Sequence, residues 1–430
     1  MICHEFVPHI CTAQSIIGLV VQRVVGYSKL DMMTSIKPKK ILAVTGSRAE
    51  FGLLLPLLRK LAENPRFALS IAATGAHLSK KFGYTISEIE SAGFIVKHRI
   101  NSGLDSYSDT KEGTTLATAD TIRGFAKLFQ ETENEPYDLV LGLGDRYELF
   151  SACVASHLAL VPFAHIGGGE ITEAALDDAL RHSITKLSHL HFTTTADCRM
   201  RVIQLGEAPE FTHNVGCLSL DNILNLNPVS RTELAKSLLI PQDSLSGRIL
   251  LVTFHPVTLE YGTSARQLQE LLLALSSLEK DIKIIFTLGN ADTEGYQLNA
   301  LIKEYVNQRD GAFAFQSLGL VRYLSLMKIC CGVIGNSSSG ITEAPSFQVG
   351  TVNIGNRQKG RLRVASIVDA QPVKAEIYSA IQKVLSPEFQ NQLSTVVNAY
   401  GDGKTSEKII SHLEKTNFAT LIPKYFNDMN

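Results

Sequence analysis

The chain has 430 residues, of which 45% are hydrophobic and 19% charged, and its formal net charge is −1. This length exceeds what one hydrophobic core usually supports, so two domains are the default expectation. A near-neutral charge argues against nucleic acid or an acidic membrane surface as the main partner. Seven cysteines without a CxxC pair or metal-ligand spacing favour a reducing compartment, so we expect a cytoplasmic protein without disulfides or a metal site.

The first 38 residues differ from the rest of the chain. Ile16–Val25 is apolar but contains Gln22 and Arg23, is too short to span a bilayer and is poorly shaped as a signal peptide. We therefore expect residues 1–38 to be a disordered or spurious extension, with a weak export signal as the minor alternative.

From residue 41 onward, short runs rich in Val, Ile and Leu alternate with longer amphipathic stretches. In the first half we predict strands at Ile41–Thr45, Ala68–Ala73, Ile95–Arg99, Leu139–Leu143, Phe163–Ile166 and His191–Thr194. Helical patterns lie between them at Leu53–Ala62, Thr114–Glu131 and Leu149–Ala159. Apolar strands joined by helices predict a parallel sheet that is covered on both faces.

The stretch 224–246 contains two prolines and several turn residues, and it predicts a linker with one helix. Beyond it we predict strands at Ile249–Phe254, Ile282–Leu288, Ala312–Phe315, Ile329–Ile334 and Thr351–Ile354, and a helix at Thr405–Leu413. The sequence thus predicts an α/β protein of GT-B-like architecture, with two Rossmann-like domains facing a central cleft. We expect the N-terminal domain at 39–220, the C-terminal domain at 221–400, and a final helix and tail at 401–430.

Polar turns follow most of the predicted strands, at the sheet edge where ligands of parallel sheets usually bind. They are Gly46–Gly52, Thr74–His77, Gly144–Glu148, Gly167–Glu170, Phe254–Pro256, Gly289–Asp292 and Gly335–Gly340. The first and last of these combine a buried strand, a Gly/Ser turn and a helix start, which leaves backbone N–H groups free to bind an anion. We therefore expect the two domains to close on one phosphorylated ligand.

Nine motifs occur in a fixed order along the chain: TGSRAEFG, LGDRYE, HIGGGE, LDDALRHSITKLSHLHF, RVIQLGE, FHPVTLE, GNADT, IGNSSSGITEAPSF and NIGNRQKGR. Together they resemble the hydrolysing UDP-N-acetylglucosamine 2-epimerases of sialic acid biosynthesis, from about Lys40 to about Arg363. The resemblance implies elimination of UDP to 2-acetamidoglucal, then hydration with inversion at sugar carbon 2 to give N-acetylmannosamine. It implies no nicotinamide or metal cofactor, and a homo-oligomer (dimer or tetramer).

Two arginines are expected to contact the diphosphate or the charge that develops as UDP leaves. Arg48 and Arg146 each follow a predicted strand, and a guanidinium stays charged and grips phosphate with two hydrogen bonds. A surface salt bridge is the alternative for either residue.

The resemblance implies a further set of nucleotide-binding residues in the second half. Ser337, Ser338 and Glu343 resemble the UDP clamp of the family, with the carboxylate on the ribose hydroxyls. Helix capping by this segment is the structural alternative. By family correspondence, the nucleotide side also includes His255, Asn290 and Arg357, with Arg361 beside them.

Asp145 is the first candidate for acid–base work on the sugar. It lies in the turn after the fourth predicted strand, beside Arg146, and we expect this arginine to keep it ionised and able to act as a base. An aspartate that caps the following helix is the competing interpretation.

Glu170 and Asp177 are the next acid–base candidates, followed by His165 and His77. Asp177 and Arg181 are four residues apart on a predicted helix, so a plain ion pair is the alternative for that aspartate. A single histidine in such a loop is more often a hydrogen-bonded structural residue than a catalyst.

The chain departs from the family pattern at two glycines. Some relatives have Glu or His at the position of Gly167, so a side chain offered from there is absent, and some have Ser at Gly52. A close alternative therefore retains the mechanism with UDP- or GDP-N,N′-diacetylbacillosamine, on the route to legionaminic acid. A GT-B glycosyltransferase and an inactive nucleotide-sugar sensor are alternatives from other classes.

Overall fold

The computed structural model describes residues 37–108, 110–173, 176–257, 260, 262–288 and 293–428. The predicted extension lies almost entirely outside this range. Within it, parallel strands form one seven-stranded and one six-stranded sheet. The first sheet contains β1 (Lys39–Thr45), β2 (Phe67–Ala73), β3 (Val96–Arg99), β4 (Leu139–Leu143), β5 (Phe163–Ile166), β6 (Leu190–Thr193) and β7 (Thr212–Asn214).

The second sheet begins after residue 248. It contains β8 (Ile249–Thr253), β9 (Lys283–Thr287), β10 (Ala312–Phe315), β11 (Gly332–Gly335), β12 (Gly350–Ile354) and β13 (Ile367–Ala370). The strand orders are β3-β2-β1-β4-β5-β6-β7 and β10-β9-β8-β11-β12-β13. Both are doubly wound orders of the Rossmann type, in which the direction of winding reverses between two central strands. The predicted two Rossmann-like α/β units are confirmed.

Helices connect these strands and cover the sheets. They are α1 (Arg48–Glu63), α2 (Ile86–Ser91), α3 (Lys111–Glu131), α4 (Tyr147–Leu158), α5 (Asp177–Leu187), α6 (Ala196–Gln204), α7 (Ser219–Leu224), α8 (Arg231–Ser237), α9 (Ser264–Ser276), α10 (Thr293–Gln308), α11 (Gly319–Ile329), α12 (Ser339–Thr342), α13 (Lys374–Leu385), α14 (Pro387–Gln392) and α15 (Thr405–Lys415). No helix of the described ranges is both long and apolar enough to cross a membrane.

The predicted strands match the observed ones to within a few residues, but β7 and β13 were missed. Both are short edge strands, and their sequences THN and IVDA carry too little apolar periodicity to stand out from a loop. Their strand geometry depends on pairing with β6 and β12.

The C-terminal helix returns to the first half of the molecule. Ile409 and Leu413 on α15 are fully buried in the same apolar cluster as Leu54 and Leu57 on α1. The Asp221 carboxylate accepts hydrogen bonds from the first backbone N–H groups of α15, at 2.8 Å and 2.7 Å. The chain therefore crosses between the two halves twice, once before the first strand of the second sheet and once after its last strand.

Candidate active site

Most predicted site residues lie where the winding direction of each sheet reverses. In the first sheet this point lies between β1 and β4, so the turns beginning at Gly46 and Gly144 are neighbours. In the second sheet it lies between β8 and β11, which brings together His255 and Asn336. Doubly wound sheets bind ligands at this position because the adjacent loops diverge to opposite faces.

Asp145 lies in the turn after β4, and its ionic partner differs from the one we expected. Its carboxylate pairs with the guanidinium of Arg181 on α5, and this arginine also binds Asp178, at 3.0 Å. The side chain of Arg181 is only 3% exposed. The expectation that Arg146 is this partner is wrong, because the Arg146 side chain turns toward Glu148. Asp145 itself keeps about a quarter of its side-chain surface exposed and remains accessible.

Asp177 is a second carboxyl group beside Asp145. Burial by the surrounding protein raises the pKa of Asp177 above its ordinary value, and the negative charge of Asp145 raises it further. Within the described residues Arg181 pairs with Asp145 and Asp178 rather than with Asp177, so the plain ion pair considered for Asp177 is not formed. Although protein surrounds much of the Asp177 carboxyl group, the residue stays accessible to solvent. Two neighbouring carboxyl groups with different surroundings are suited to act as base and acid.

Arg146 binds Glu148 with two parallel hydrogen bonds, each 3.1 Å long. The Glu148 side chain is 1% exposed, whereas nearly half of the Arg146 side chain remains exposed. The guanidinium is therefore held in a fixed orientation by a buried carboxylate while one side stays open. Such a held arginine is suited to bind an anion at low entropic cost.

Arg48 lies at the first position of α1 and reaches toward the second sheet. It donates a hydrogen bond of 3.2 Å to the hydroxyl of Ser317, in the loop after β10. Its contact with Glu88 is 3.8 Å long, and both side chains are about half exposed. An exposed pair of this length contributes little, so Arg48 is free to move to a ligand between the sheets.

In the first glycine turn, side chains accept hydrogen bonds from some of the backbone N–H groups. The Glu50 carboxylate accepts a hydrogen bond of 2.9 Å from the backbone of Gly46, and the Ser47 hydroxyl accepts one from Glu50. This reciprocal capping explains why α1 begins at Arg48. It leaves fewer N–H groups for an anion than the sequence suggested. Burial raises the pKa of Glu50 to about 8.

His77 and His165 are fully buried, and the ring nitrogens of both are engaged. His77 contacts the hydroxyls of Thr45 and Thr85 at 3.1 Å and 3.0 Å. His165 contacts the Gly144 carbonyl oxygen at 2.8 Å, which requires a proton on Nε2, and its Nδ1 accepts from a threonine hydroxyl. Burial lowers the pKa of His77 to about 4 and that of His165 to about 3. This geometry favours a role for His165 in positioning the turn that carries Asp145.

The second glycine turn is organised by Asn336, which is fully buried. Its amide accepts from the backbone N–H of His255 at 2.7 Å and donates to the carbonyl of the same residue at 2.8 Å. The backbone carbonyl of Asn336 accepts a hydrogen bond of 3.0 Å from the Arg357 guanidinium. Burial lowers the pKa of His255 to about 3, and the positive charge of Arg357 contributes to this shift. The imidazole of His255 is therefore neutral at physiological pH.

Arg357 lies between this turn and the acid pair of the first sheet. Burial lowers its pKa to about 10, whereas the charges of Asp177 and Asp145 act in the opposite direction. The side chain remains protonated near neutral pH. A guanidinium beside two carboxyl groups and a neutral polar turn is suited to hold a diphosphate close to the acid pair.

Ser337 and Ser338 lie between β11 and α12, directly after Asn336. The predicted helix start after this turn is observed, but α12 is short and ends at Thr342, one residue before Glu343. Pro345 has no N–H group and its ring blocks further α-helix, so Glu343 lies at a junction with a short 3₁₀ turn. The Glu343 carboxyl group bonds to Ser219, and burial raises its pKa to about 7.

Glu170 is engaged at both carboxylate oxygens. Thr194 donates to Oε1 and Arg361 of the second half pairs with Oε2, each at 2.9 Å. Arg361, which was predicted to lie with the nucleotide-binding residues, therefore contacts the first half of the molecule. Asn290 lies outside the described residues.

Gly167 occupies the position where a carboxylate or histidine would be offered in some relatives. Its φ angle of 87° favours glycine, and a Cβ atom built on it meets no described atom within 4 Å. The cleft is therefore open at this point.

Sequence reasoning did not select Arg181 as a site residue. The LDDALRH motif places it three residues after Asp178, which is a spacing typical of helix ion pairs. Its contact with Asp145, 36 residues earlier in the chain, had no signal in the sequence.

The fold and this site define a two-lobed α/β enzyme with a cleft suited to a phosphorylated ligand. A family model described as UDP-N-acetylglucosamine 2-epimerase matches residues 59–414. Polysialic acid biosynthesis protein P7 of Escherichia coli is 39% identical over 84% of this chain and 90% of that protein. GDP/UDP-N,N′-diacetylbacillosamine 2-epimerase (hydrolyzing) of Campylobacter jejuni is 38% identical over 91% of this chain and 99% of that protein.

A solved structure of similar fold is the UDP-GlcNAc 2-epimerase of Neisseria meningitidis bound to UDP-GlcNAc. The TM-score is 0.74 at 17% identity, covering 88% of this chain and all of that one. The chain belongs to the UDP-N-acetylglucosamine 2-epimerase family, and it is an enzyme of the nucleotide-sugar 2-epimerase class.

Proposed function

We propose that this enzyme converts UDP-N-acetylglucosamine and water into N-acetylmannosamine and UDP. The observation that carries the proposal is the placement of Asp145 and Asp177 beside Arg357, at the meeting point of the two sheets. Membership of the 2-epimerase family supports the reaction class. The relative from E. coli, whose name refers to polysialic acid, supports a product used in sialic acid biosynthesis.

The reaction requires two steps that balance without an oxidant or reductant. A base removes the proton from sugar carbon 2 while the bond between carbon 1 and the diphosphate oxygen breaks, which gives 2-acetamidoglucal and UDP. Water then adds its oxygen to carbon 1 and gives up one proton to a base, while an acid delivers a proton to the opposite face of carbon 2. The sum is hydrolysis of the UDP-sugar with inversion at carbon 2.

Asp145 suits the role of base, because Arg181 holds its carboxylate in place while about a quarter of the side chain stays exposed. Asp177 suits the role of acid, because burial and Asp145 raise its pKa and favour the protonated form. Asp145 thus acts in the first step, and Asp177 acts in the second step, when a proton returns to the sugar.

Positive charge near the cleft serves the leaving diphosphate. Arg357, Arg48 and Arg146 supply this charge, since a preorganised donor is strongest where negative charge develops. We further propose that the uridine and ribose lie on the second sheet. The residues for that side are His255, Asn290, Ser337, Ser338 and Glu343.

A second candidate substrate is UDP- or GDP-N,N′-diacetylbacillosamine, with the same mechanism. The Campylobacter jejuni relative bears that substrate in its name and is as similar to this chain as the E. coli relative. The open space at Gly167 is compatible with a larger sugar substituent.

The test supplies the wild-type enzyme with each of the three nucleotide sugars and follows free UDP or GDP. Products are identified by NMR, and the reaction is repeated in heavy water. We expect an amino sugar with inverted carbon 2 and deuterium at that carbon, from one substrate in preference to the others. A sugar of unchanged configuration, or one without deuterium, contradicts the proposal. Turnover only after addition of an acceptor sugar indicates a glycosyltransferase instead.

We propose in addition that the enzyme is a cytoplasmic homo-oligomer, dimer or tetramer, with domains at 39–220 and 221–400. Light scattering of the purified protein measures the assembly, and a monomer at working concentration contradicts it. Limited proteolysis tests the domain boundaries, and cleavage is expected in the more exposed stretches next to them, 225–230 and 397–399, because Leu220 and Tyr400 are buried.

A further inference from the structure

Glu170 and Arg361 form an ion pair between the two halves of the molecule. Glu170 follows β5 of the first sheet, and Arg361 follows β12 of the second. Their side chains are only 11% and 15% exposed, and the two charged atoms are 2.9 Å apart. The Thr194 hydroxyl occupies the other oxygen of Glu170. A carboxylate with both oxygens engaged in this way is poorly placed to carry protons to and from a sugar.

The pair lies within a continuous contact between two short segments, 170–173 and 359–361. The backbone N–H of Glu173 donates to the Lys359 carbonyl at 3.2 Å. The Lys359 ammonium pairs with the Glu173 carboxylate at 2.7 Å. A Cβ atom at Gly360 would lie 2.4 Å from the Ile171 side chain, so only glycine permits this approach.

Each segment is connected to a residue of the proposed reaction. The backbone carbonyl of Glu170 accepts a hydrogen bond of 2.9 Å from Arg181, which pairs with Asp145. On the other side, Arg357 lies four residues before Arg361 in the same loop and binds the Asn336 carbonyl. The ion pair therefore links the loop that carries Arg357 to the group that holds Asp145.

We propose that Glu170 and Arg361 are a positioning pair, which fixes the Arg357 loop against the acid pair, and that Glu170 transfers no proton. This inference rests on the proposed function. Misplacement of a diphosphate-binding group by about 1 Å can lower a rate about 100-fold, so loss of the pair should lower turnover measurably.

The test is a double-mutant cycle with Glu170→Ala, Arg361→Ala and the double variant, together with Glu170→Gln. The pair borders a cavity of 280 Å³, which leaves room for altered side chains. We expect each single alanine variant to lower kcat/KM by about 10- to 100-fold. The double variant should be no worse than either single one, because it leaves no lone buried charge.

Glu170→Gln separates positioning from proton transfer. The glutamine amide oxygen can still accept from Arg361, and its NH2 group can donate to the Thr194 hydroxyl, so we expect most of the activity and an unchanged pH profile. Glu173→Gln is the matched control, since it removes an exposed ion pair at the same junction, and we expect activity within about twofold of wild type. Loss of one limb of the pH profile in Glu170→Gln, or alanine losses that multiply, overturns the proposal.

The wild-type assay distinguishes this inference from the proposed function. If the wild type turns over none of the three nucleotide sugars, the proposed function fails, and the same cycle is measured on UDP affinity by calorimetry. Coupled losses of UDP affinity in the two alanine variants then support the positioning pair. Unchanged UDP affinity in Glu170→Ala overturns it in that case, and unchanged kcat/KM overturns it where the wild type is active.

Discussion

At the switch point of the first sheet, the loops place charged and titratable side chains next to one another, in the pairs Asp145–Arg181 and Arg146–Glu148. At the switch point of the second sheet, the same topological position holds neutral polar groups, Asn336 and the unprotonated ring of His255. The strand order around the two points is the same. The same topology thus presents paired titratable side chains at one edge and a network of neutral polar groups at the other, so the side chains rather than the strand order set the available chemistry.

The difference has a physical basis in burial. Charges in the first lobe are held in ion pairs that satisfy buried carboxylates, which would otherwise be costly to desolvate. At the second switch point the Asn336 amide and the His255 backbone satisfy one another, and burial raises the pKa of the nearby Glu343 to about 7, which reduces its negative charge at neutral pH. In the proposed function, the anionic nucleotide therefore lies on the second lobe, and the sugar extends from there toward the acid pair.

The largest effect is expected from Asp145→Asn. An amide cannot accept the sugar proton, so turnover should fall about 1000-fold while UDP affinity stays within a few-fold of wild type. Steady-state kinetics and calorimetry measure the two quantities. Asp138→Asn is the matched control, since Asp138 precedes β4 at the opposite edge of the sheet and binds the backbone of Lys40. Wild-type rates in Asp145→Asn remove Asp145 from the mechanism.

A smaller loss is expected from Arg357→Gln, which tests the binding edge. Removal of one preorganised cation should lower kcat/KM about 100-fold and should also weaken UDP binding, because this residue serves the diphosphate in both states. Arg248→Gln provides the control, since it removes an exposed ion pair near the amino end of β8. An effect on turnover with unchanged UDP affinity would place Arg357 on the sugar instead.

Asn336→Ala tests the neutral network of the second lobe. It removes two hydrogen bonds to the backbone of His255 and leaves these groups buried, so we expect about 2 kcal/mol of lost stability. Chemical denaturation measures this loss, and calorimetry measures the accompanying fall in UDP affinity. A destabilised variant that binds UDP as wild type does would show that Asn336 serves the fold alone.

The smallest effect concerns Glu50 and the pH dependence of stability. The folded chain keeps Glu50 protonated up to a pKa of about 8, whereas the unfolded chain ionises it near the ordinary value of 4.5. The folded state therefore binds more protons between these values, and stability falls as pH rises through this window. Glu50→Gln stays neutral and should flatten this decline of the melting temperature.

Glu63→Gln is the control for that measurement, because Glu63 is exposed at the other end of the same helix. It should leave the pH dependence of the melting temperature as in wild type. A decline between pH 5 and 8 that is equally steep in Glu50→Gln and wild type would show that other groups cause it.

The fold was largely predictable from the sequence, because buried parallel strands are continuous apolar runs and their polar turns follow at fixed positions. The runs beginning at Ile41 and Ile249 became the central strands β1 and β8. Edge strands β7 and β13 were not predictable, since short strands depend on their neighbours for pairing. The early end of α12 was visible in principle, as Pro345 stands three residues beyond Thr342.

The sequence by itself determined which side chains stand at the carboxyl ends of the strands, because chain order and strand period are local properties. Only the tertiary structure decided which of them meet. Asp145 pairs with Arg181 rather than with adjacent Arg146, and Glu170 binds Arg361 across the two lobes. Such pairings depend on how helices and loops pack over the sheets, and charge alone does not specify a partner when several lie within reach.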